Sequence, residues 1–398
     1  MGQVQIVDPK RRYLPSLEGL RGYGFLLVFC GHYLLPWQLA HPNTVRLQLF
    51  TALSSLGLFA VPAFFVLSGY LIGGILFHTR NRKGYFRVFY SRRILRVFPV
   101  YYVTLLAISF SYWFVGFHPN GRFWLHFLYI QNILPGYLEH LGGPASMLHF
   151  WSLAVEEQFY ILWPLVVWLF PSRRTLARVV TVLILVSWAA RLGAPLFSMP
   201  LHDLLYFTPS RADAILFGVL IALVRDQTIF HRLTSYAKWV TLCGVLIVGS
   251  LAIGKGVAWS RTYWGVEIWI PLVNVTSAAL VVAVIEEGSF LNRLCSFKWA
   301  CWLGSLSYSL YVFHLTYQNF FNDYVFPHLC AYMRQSFAAL TSGALAFCLT
   351  LLLSVLSYRL IEGPIINLKR HLRYGVAEEP TPIREATVVE PELVGTVS

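Results

Sequence analysis

Three ionisable side chains occur in the first apolar stretch of the chain, SLEGLRGYGFLLVFCGHYLL, where hydrocarbon surroundings would make each costly. If this stretch is helical, the eleven positions from Arg21 to His32 bring both to one face, within about 20° of whole turns, with a rise of roughly 16 Å. Glu18 lies one turn before Arg21 and can pair with it. A histidine at that depth can act as a general base towards a hydroxyl or carry an acyl group as acyl-imidazole. The competing reading is a packed helix with a snorkelling arginine and a hydrogen-bonded histidine. Gly19, Gly22, Gly24 and Gly31 would let a neighbouring backbone or a ligand approach.

Other polar residues interrupt later apolar stretches. SRRILRVFPVYY sets Arg93 and Arg96 three apart, on one face if a helix has begun, and arginine forks suit phosphate oxygens; anchoring to lipid phosphates is the plainer alternative. HFWSLAVEEQFYILWPL puts Glu156 and Glu157 about two turns inside an apolar helix. Adjacent positions diverge by about 100°, so at least one carboxylate must face the bundle interior. There it could orient an imidazole, bind a sugar hydroxyl or act as a base. Ser152 in the same segment and Asn132 in FWLHFLYIQNIL are candidates for an acceptor site. Arg211 and Asp213, like Arg359 and Glu362, are polar islands near helix ends and are expected to form ion pairs between helices. His314 follows Ser305, Ser307, Tyr308 and Ser309 and could bond a ligand or another helix.

The elements that must position these groups are membrane helices. Of 398 residues, 57% are hydrophobic and 12% charged, against about 25% charged in an average soluble domain. This sets soluble enzymes aside. The net charge of +13 would suggest nucleic-acid binding in a soluble protein; here most of the basic excess sits in short loops between apolar runs, which membrane topology explains better. About ten runs are long enough to span, close to residues 16–37, 48–77, 98–117, 149–170, 176–197, 203–224, 237–254, 267–285, 299–322 and 338–361. Most of the 31 Lys and Arg fall on the side of the N-terminus, which predicts cytoplasmic termini. The run at 48–77 contains Pro62 and should tilt, kink or start as a short outer helix. The segment 123–134 is too short to cross and is expected to be interfacial or re-entrant. No A-x-A-like site follows the first run, so it should stay attached. The six cysteines have no metal-ligand spacing and are read as packing residues, with no metal expected. Residues 1–12 are expected to form a cytoplasmic segment, 13–373 an all-α transmembrane domain, and 374–398 a disordered cytoplasmic tail.

Taken in order, LEGLRG with its following GH, FFVLSGYLI, SRRILRVFPVYY, WSLAVEEQFYILWP, RADAILFG, LGSLSYSLYVFHL and SYRLIEGP resemble the successive blocks of the acyltransferase-3 family of integral membrane acyltransferases. The likeness runs from about residue 13 to 370. It implies transfer of an acyl group, commonly acetyl, from acyl-CoA to a hydroxyl of a carbohydrate or glycolipid at the cell envelope, with acyl-CoA as co-substrate and no bound cofactor. It also implies a multi-pass protein of the inner or plasma membrane and no nucleic-acid partner. Arg21 and His32 match the family's Arg-x10-His pattern, Arg93 and Arg96 its cytoplasmic Arg-x-x-Arg, and Glu156 and Glu157 its VEEQF block. Glu18 stands where the family usually has Asp. Some members carry an SGNH-type hydrolase domain after the last span; none follows here, so transfer is expected to finish within the membrane part or through a separate partner.

The resemblance and the residues together give a mechanism in which Arg93 and Arg96 bind acyl-CoA phosphates and Arg21 guides the pantetheine arm. His32 would then act on an acceptor hydroxyl, with Glu156 orienting either the imidazole or the acceptor. A polytopic transporter or flippase is the rival class, since buried His, Arg and Glu also line transport paths; the absence of internal repeats weighs against it.

Overall fold

The structure is a computed structural model that describes residues 14–33, 56–119, 121–133, 146–197, 200, 204–255 and 262–375. The expected tail from 376 onward, the N-terminal segment before 14 and the outer part of the 48–77 run up to residue 55 lie outside the described residues.

Among the described residues the fold is all-α, without strands. Helix α1 spans Pro15–Tyr33. A 3-10 turn at Leu56–Phe59 leads into α2, Ala60–Thr79, so the described part of the second run opens as a short tight turn. Gly84, at φ 80°, reverses the chain into α3, Tyr85–Phe114. Helix α3 begins about four turns earlier than the apolar run that marks it, because its first turns carry Arg87, Arg92, Arg93 and Arg96, which a hydropathy pattern assigns to a loop. After a 3-10 segment at Gly121–Leu128 come α4, Phe150–Leu169, and α5, Arg173–Gly193. Then follow α6, Thr208–Val224, α7, Thr228–Lys255, and α8, Tyr263–Ile285.

The expected single span at 299–322 is broken. Phe290–Cys295 forms α9, Lys298–Ser305 α10 and Ser307–Phe313 α11. The Ser305 hydroxyl donates to the Trp302 carbonyl at 2.6 Å and Ser309 to the Leu306 carbonyl at 3.2 Å. Side chains that compete in this way for backbone partners weaken helix continuity. Short helical pieces at Gln318–Phe320 and Phe326–Cys330 flank a π-turn at Phe321–Val325. Helix α12, Gln335–Ser357, runs through a second π-turn, Tyr358–Glu362, into Gly363–Leu368.

Among the described residues, six helices are long and apolar enough to cross a membrane by length and composition: Leu56–Thr79, Tyr85–Phe114, Arg173–Gly193, Thr228–Ile253, Trp264–Ile285 and Gln335–His371. Outside this set are α1, which carries Glu18 and Arg21 within its apolar run, α4 with its two glutamates, the 17-residue α6, and the broken α10–α11.

Helix α2 is the hub. With α8 it is among the most buried of the long apolar helices, whereas α5 and α7 lie on the periphery. Leu106, Phe110, Trp113, Leu162, Trp168 and Leu246 stand exposed on the outside of the bundle, an apolar exterior that suits lipid. The hub packs backbone to backbone against α6. A Cβ at Gly69 would lie 1.8 Å from the Ile215 carbonyl oxygen, and one at Gly218 2.0 Å from that of Val66. Helices α1 and α10 meet in the same way: a Cβ at Gly22 would lie 2.2 Å from the Ala300 oxygen, and one at Gly304 1.8 Å from that of Glu18. Dispersion at such close approach supplies much of the helix association that the hydrophobic effect cannot supply in lipid.

Gly69→Leu should therefore force α2 from α6 and cost about 1–3 kcal/mol or more, read as a fall in thermal unfolding temperature in detergent. Gly249→Ala, where nothing lies within 4 Å, should leave that temperature unchanged or raise it slightly.

Candidate active site

Helices α1, α2, α3, α4 and α11 meet around a polar cleft. Its lining includes Arg21 from α1, Ser68 from α2, Arg93 and Arg96 from α3, Glu156, Glu157 and Tyr160 from α4, and Tyr308 from α11. Because α3 has begun by residue 85, Arg93 and Arg96 share a helical face, as their spacing requires. Arg21 keeps a loose contact with Glu18 at 3.8 Å. Among the described residues no ion pair within 4.0 Å joins Arg93 or Arg96 to a carboxylate. The Arg93 guanidinium lies over the Tyr160 ring at 5.4 Å. Three guanidiniums against two carboxylates give the cleft a surplus of positive charge and leave arginine donors for an anionic ligand.

Glu156 is held in place by hydroxyls. Ser68 donates to its Oε1 at 2.7 Å, the Tyr160 hydroxyl lies 3.4 Å from its Oε2, and Ser68 and Tyr160 are 2.9 Å apart. These partners fix it in the arginine cleft; its hydrogen bonds do not run to His32. Glu157 is also buried and lines the same cleft.

His32 does not line the cleft. Its Nδ1 lies 3.3 Å from Nε2 of His314, and the two rings are 5.2 Å apart. A third imidazole, His149, is 4.8 Å from His314 ring to ring. The break after α11 explains why they gather. A continuous helix would bond the Tyr311 and Val312 carbonyls to later backbone N–H groups. Here the Thr316 N–H turns instead to the Phe313 carbonyl at 3.1 Å. His314 Nδ1 meets the Tyr311 carbonyl oxygen at 2.6 Å, and His149 Nε2 meets that of Val312 at 2.9 Å. The next turn is tied to α1: the Tyr33 hydroxyl donates to the His314 carbonyl at 2.7 Å, and the Gln318 amide to that of His32 at 2.7 Å.

Tyr311 joins the two regions. Its hydroxyl lies 2.6 Å from that of Ser152 in the cleft wall, and its ring is 5.2 Å from His314 and 5.5 Å from His149. Ser152 also donates to the His149 carbonyl at 2.9 Å. The cleft and the imidazole cluster are thus neighbours separated by one tyrosine–serine contact.

The remaining candidate residues lie in networks away from this pair. The Asn132 amide donates to the Tyr206 carbonyl at 3.0 Å and to Thr208 at 2.8 Å, and its oxygen accepts from Gln158 at 2.9 Å. It ties the 3-10 region to α4 and α6. Asp213 pairs with Arg191 of α5 at 2.9 Å, both side chains fully buried, and accepts from Trp188 at 3.1 Å and Asn274 at 2.8 Å. The expected ion pairing between helices is present at Asp213, with Arg191 as partner; Arg211 instead lies over the Trp151 ring at 5.4 Å. Among the described residues Glu362 forms no ion pair with Arg359; Ser357 lies 3.4 Å from its carboxylate.

Sequence reasoning missed His149, Ser68, Tyr160 and Tyr311. His149 immediately precedes α4, at the head of the block that contains the glutamates, and its position there was the available signal.

A multi-helix membrane bundle with a basic cleft beside a histidine cluster defines the class of protein. The model of the acyltransferase domain of the acyltransferase-3 family matches residues 14–359, and the chain belongs to that family. It is 30% identical over 385 residues to YrhL of Bacillus subtilis, whose assignment as a peptidoglycan O-acetyltransferase is provisional, covering 89% of this chain and 55% of that protein. It is 26% identical over 385 residues to the peptidoglycan O-acetyltransferase OatA of Listeria monocytogenes, covering 89% of this chain and 56% of that one. With the O-acetyltransferase OatA of Staphylococcus aureus it shares 25% identity over 379 residues, 89% of this chain and 57% of that one. The chain spans little more than half the length of these relatives. No solved structure matches it.

The buried Arg191–Asp213 pair makes a stability prediction. Arg191→Met should strand a buried carboxylate and cost about 3–5 kcal/mol, while Arg191→Met with Asp213→Leu should recover most of the loss. Chemical or thermal unfolding of the purified variants measures both.

Proposed function

We propose that the protein is a plasma-membrane O-acyltransferase that moves an acetyl group from acetyl-CoA, bound from the cytoplasm, to a hydroxyl of a cell-envelope carbohydrate at the opposite face. Peptidoglycan, the acceptor named for its relatives, is the acceptor class proposed here. One observation carries the reading: α1 holds an arginine in a basic cleft and, at its other end, a histidine in an imidazole cluster. About 16 Å of helix rise separates the two residues, a reach that suits a donor in one compartment and an acceptor in the other. Ten spans with both termini cytoplasmic complete the proposed topology. In it the α3 arginines, the turn at residues 80–84 and the Lys369–Arg373 segment face the cytoplasm; the Arg92 guanidinium, donating to the Leu372 carbonyl at 2.9 Å, ties that side together.

In this reading Arg93 and Arg96 hold the phosphates of acetyl-CoA, and Arg21 directs the pantetheine arm along α1. The Tyr311–Ser152 contact parts to admit the thioester. His32 removes the proton from the acceptor hydroxyl as its oxygen attacks the thioester carbonyl. The carbon–sulfur bond breaks, and the CoA thiolate takes up the proton that His32 received. Glu156 keeps the arginine cleft polar and fixed through Ser68 and Tyr160.

Acetyl-CoA-dependent release of free CoA by the protein in nanodiscs, with soluble glycan as acceptor, tests this. His32→Ala should abolish release while the protein still inserts and folds. Arg93→Ala with Arg96→Ala should raise the KM for acetyl-CoA about 10- to 100-fold, the loss of one or more charge-assisted hydrogen bonds. Full activity without His32, or an unchanged KM without the two arginines, overturns the assignment.

A further inference from the structure

The hydrogen-bond partners of the imidazoles determine which nitrogen of His32 is free. A neutral imidazole has one N–H donor and one lone-pair acceptor, and the partner of either nitrogen fixes the role of the other. A bundle interior in hydrocarbon surroundings favours the neutral ring, and three rings this close discourage charge on any of them. His314 is fully buried, and its Nδ1 faces the Tyr311 carbonyl oxygen at 2.6 Å. A carbonyl oxygen only accepts, so Nδ1 of His314 carries the hydrogen and Nε2 is left as the acceptor. That Nε2 faces Nδ1 of His32 at 3.3 Å. Nδ1 of His32 must then donate. The lone pair of His32 falls on Nε2, which has no hydrogen bond among the described residues.

We infer that His314 is a positioning residue that holds His32 in its Nδ1–H tautomer and so leaves Nε2 as the proton acceptor. This inference rests on the reading of His32 as the base. The chain of partners runs from the Tyr311 carbonyl, through both nitrogens of His314, to Nδ1 of His32, and it begins at a carbonyl released by the break after α11. His314 itself does not meet the acyl group. The Gln318 amide and the Tyr33 hydroxyl, bonded to the backbone carbonyls of His32 and His314, fix the two backbones so that the rings keep their register. His149 supports the same register from the other side: its Nε2 donates to the Val312 carbonyl, so its ring packs on His314 without competing for the His314 acceptor.

Two substitutions separate positioning from chemistry. His314→Gln can place an amide oxygen near the position of Nε2 and keep an acceptor for His32, but it cannot titrate. His314→Leu removes the acceptor. His314→Leu should lower kcat for CoA release about 10- to 100-fold at unchanged KM for acetyl-CoA, the loss of an orienting hydrogen bond. His314→Gln should retain kcat within a few-fold of the parent. Equal losses in the two variants would make His314 a proton carrier or a packing residue, and no loss in either would make it a bystander; either result overturns the inference. Nitrogen NMR of isotope-labelled histidines in nanodiscs decides the tautomer without any acyl donor. The His32 signals, identified by their disappearance in His32→Ala, should show hydrogen on Nδ1 in the parent and in His314→Gln. Hydrogen on Nε2 of His32 in the parent overturns the inference even if activity is normal. A parent protein without His32-dependent CoA release, but with hydrogen on Nδ1, rejects the proposed reaction while the tautomer assignment stands.

Discussion

A polar group inside a lipid-embedded bundle must find its hydrogen-bond partners within the protein, because hydrocarbon offers none. Much of the arrangement around α1 follows from this constraint. Interrupting the helix after α11 releases the Tyr311 and Val312 carbonyls, and the imidazoles of His314 and His149 take them up. His32 is then recruited through His314. The carboxylate of Glu156 meets the same demand with the hydroxyls of Ser68 and Tyr160, and that of Asp213 with Arg191, Trp188 and Asn274. Each buried charge or imidazole thus fixes a particular set of helices.

Close backbone packing makes these networks possible. The reciprocal glycines of α2 and α6, and of α1 and α10, bring those main chains into close contact, and side chains from α1, α2, α3, α4 and α11 converge on one cleft. The more apolar peripheral helices supply the lipid-facing shell. The site draws on both kinds of helix: α2 and α3 are long and apolar enough to qualify as spans, while α1 and α4 carry charges within them and α11 is short.

Much of this was legible in the sequence. The helical face shared by Arg93 and Arg96, the enclosed glutamates of α4 and the membrane character of the chain follow from residue type and spacing. The interruption at 306 and the turn from 314 to 317 did not, since an apolar run with scattered polar positions reads as one span. Only the competition of serine and threonine hydroxyls for backbone carbonyls marks the break. His149 was hidden for a related reason: as the residue before a helix it has no periodic pattern, and its partner, the Val312 carbonyl, is 163 positions away. Spacing placed Arg21 and His32 on one face of α1, but it could not show that His32 turns to His314 while Glu156 remains with the arginines. The partner of Asp213 was likewise out of reach, because Arg191 belongs to a different helix.

The central claim is that the arginine cleft and the imidazole cluster are two ends of one path, closed at the Tyr311–Ser152 contact. The most direct measurement is a cryo-EM structure in nanodiscs with an acetyl-CoA analogue whose thioester sulfur is replaced by a methylene group. The account predicts phosphates at Arg93 and Arg96, an arm that passes a displaced Tyr311, and the acetyl carbonyl beside Nε2 of His32. An analogue bound with its acetyl group away from His32, while Tyr311 and Ser152 stay in contact, would contradict it.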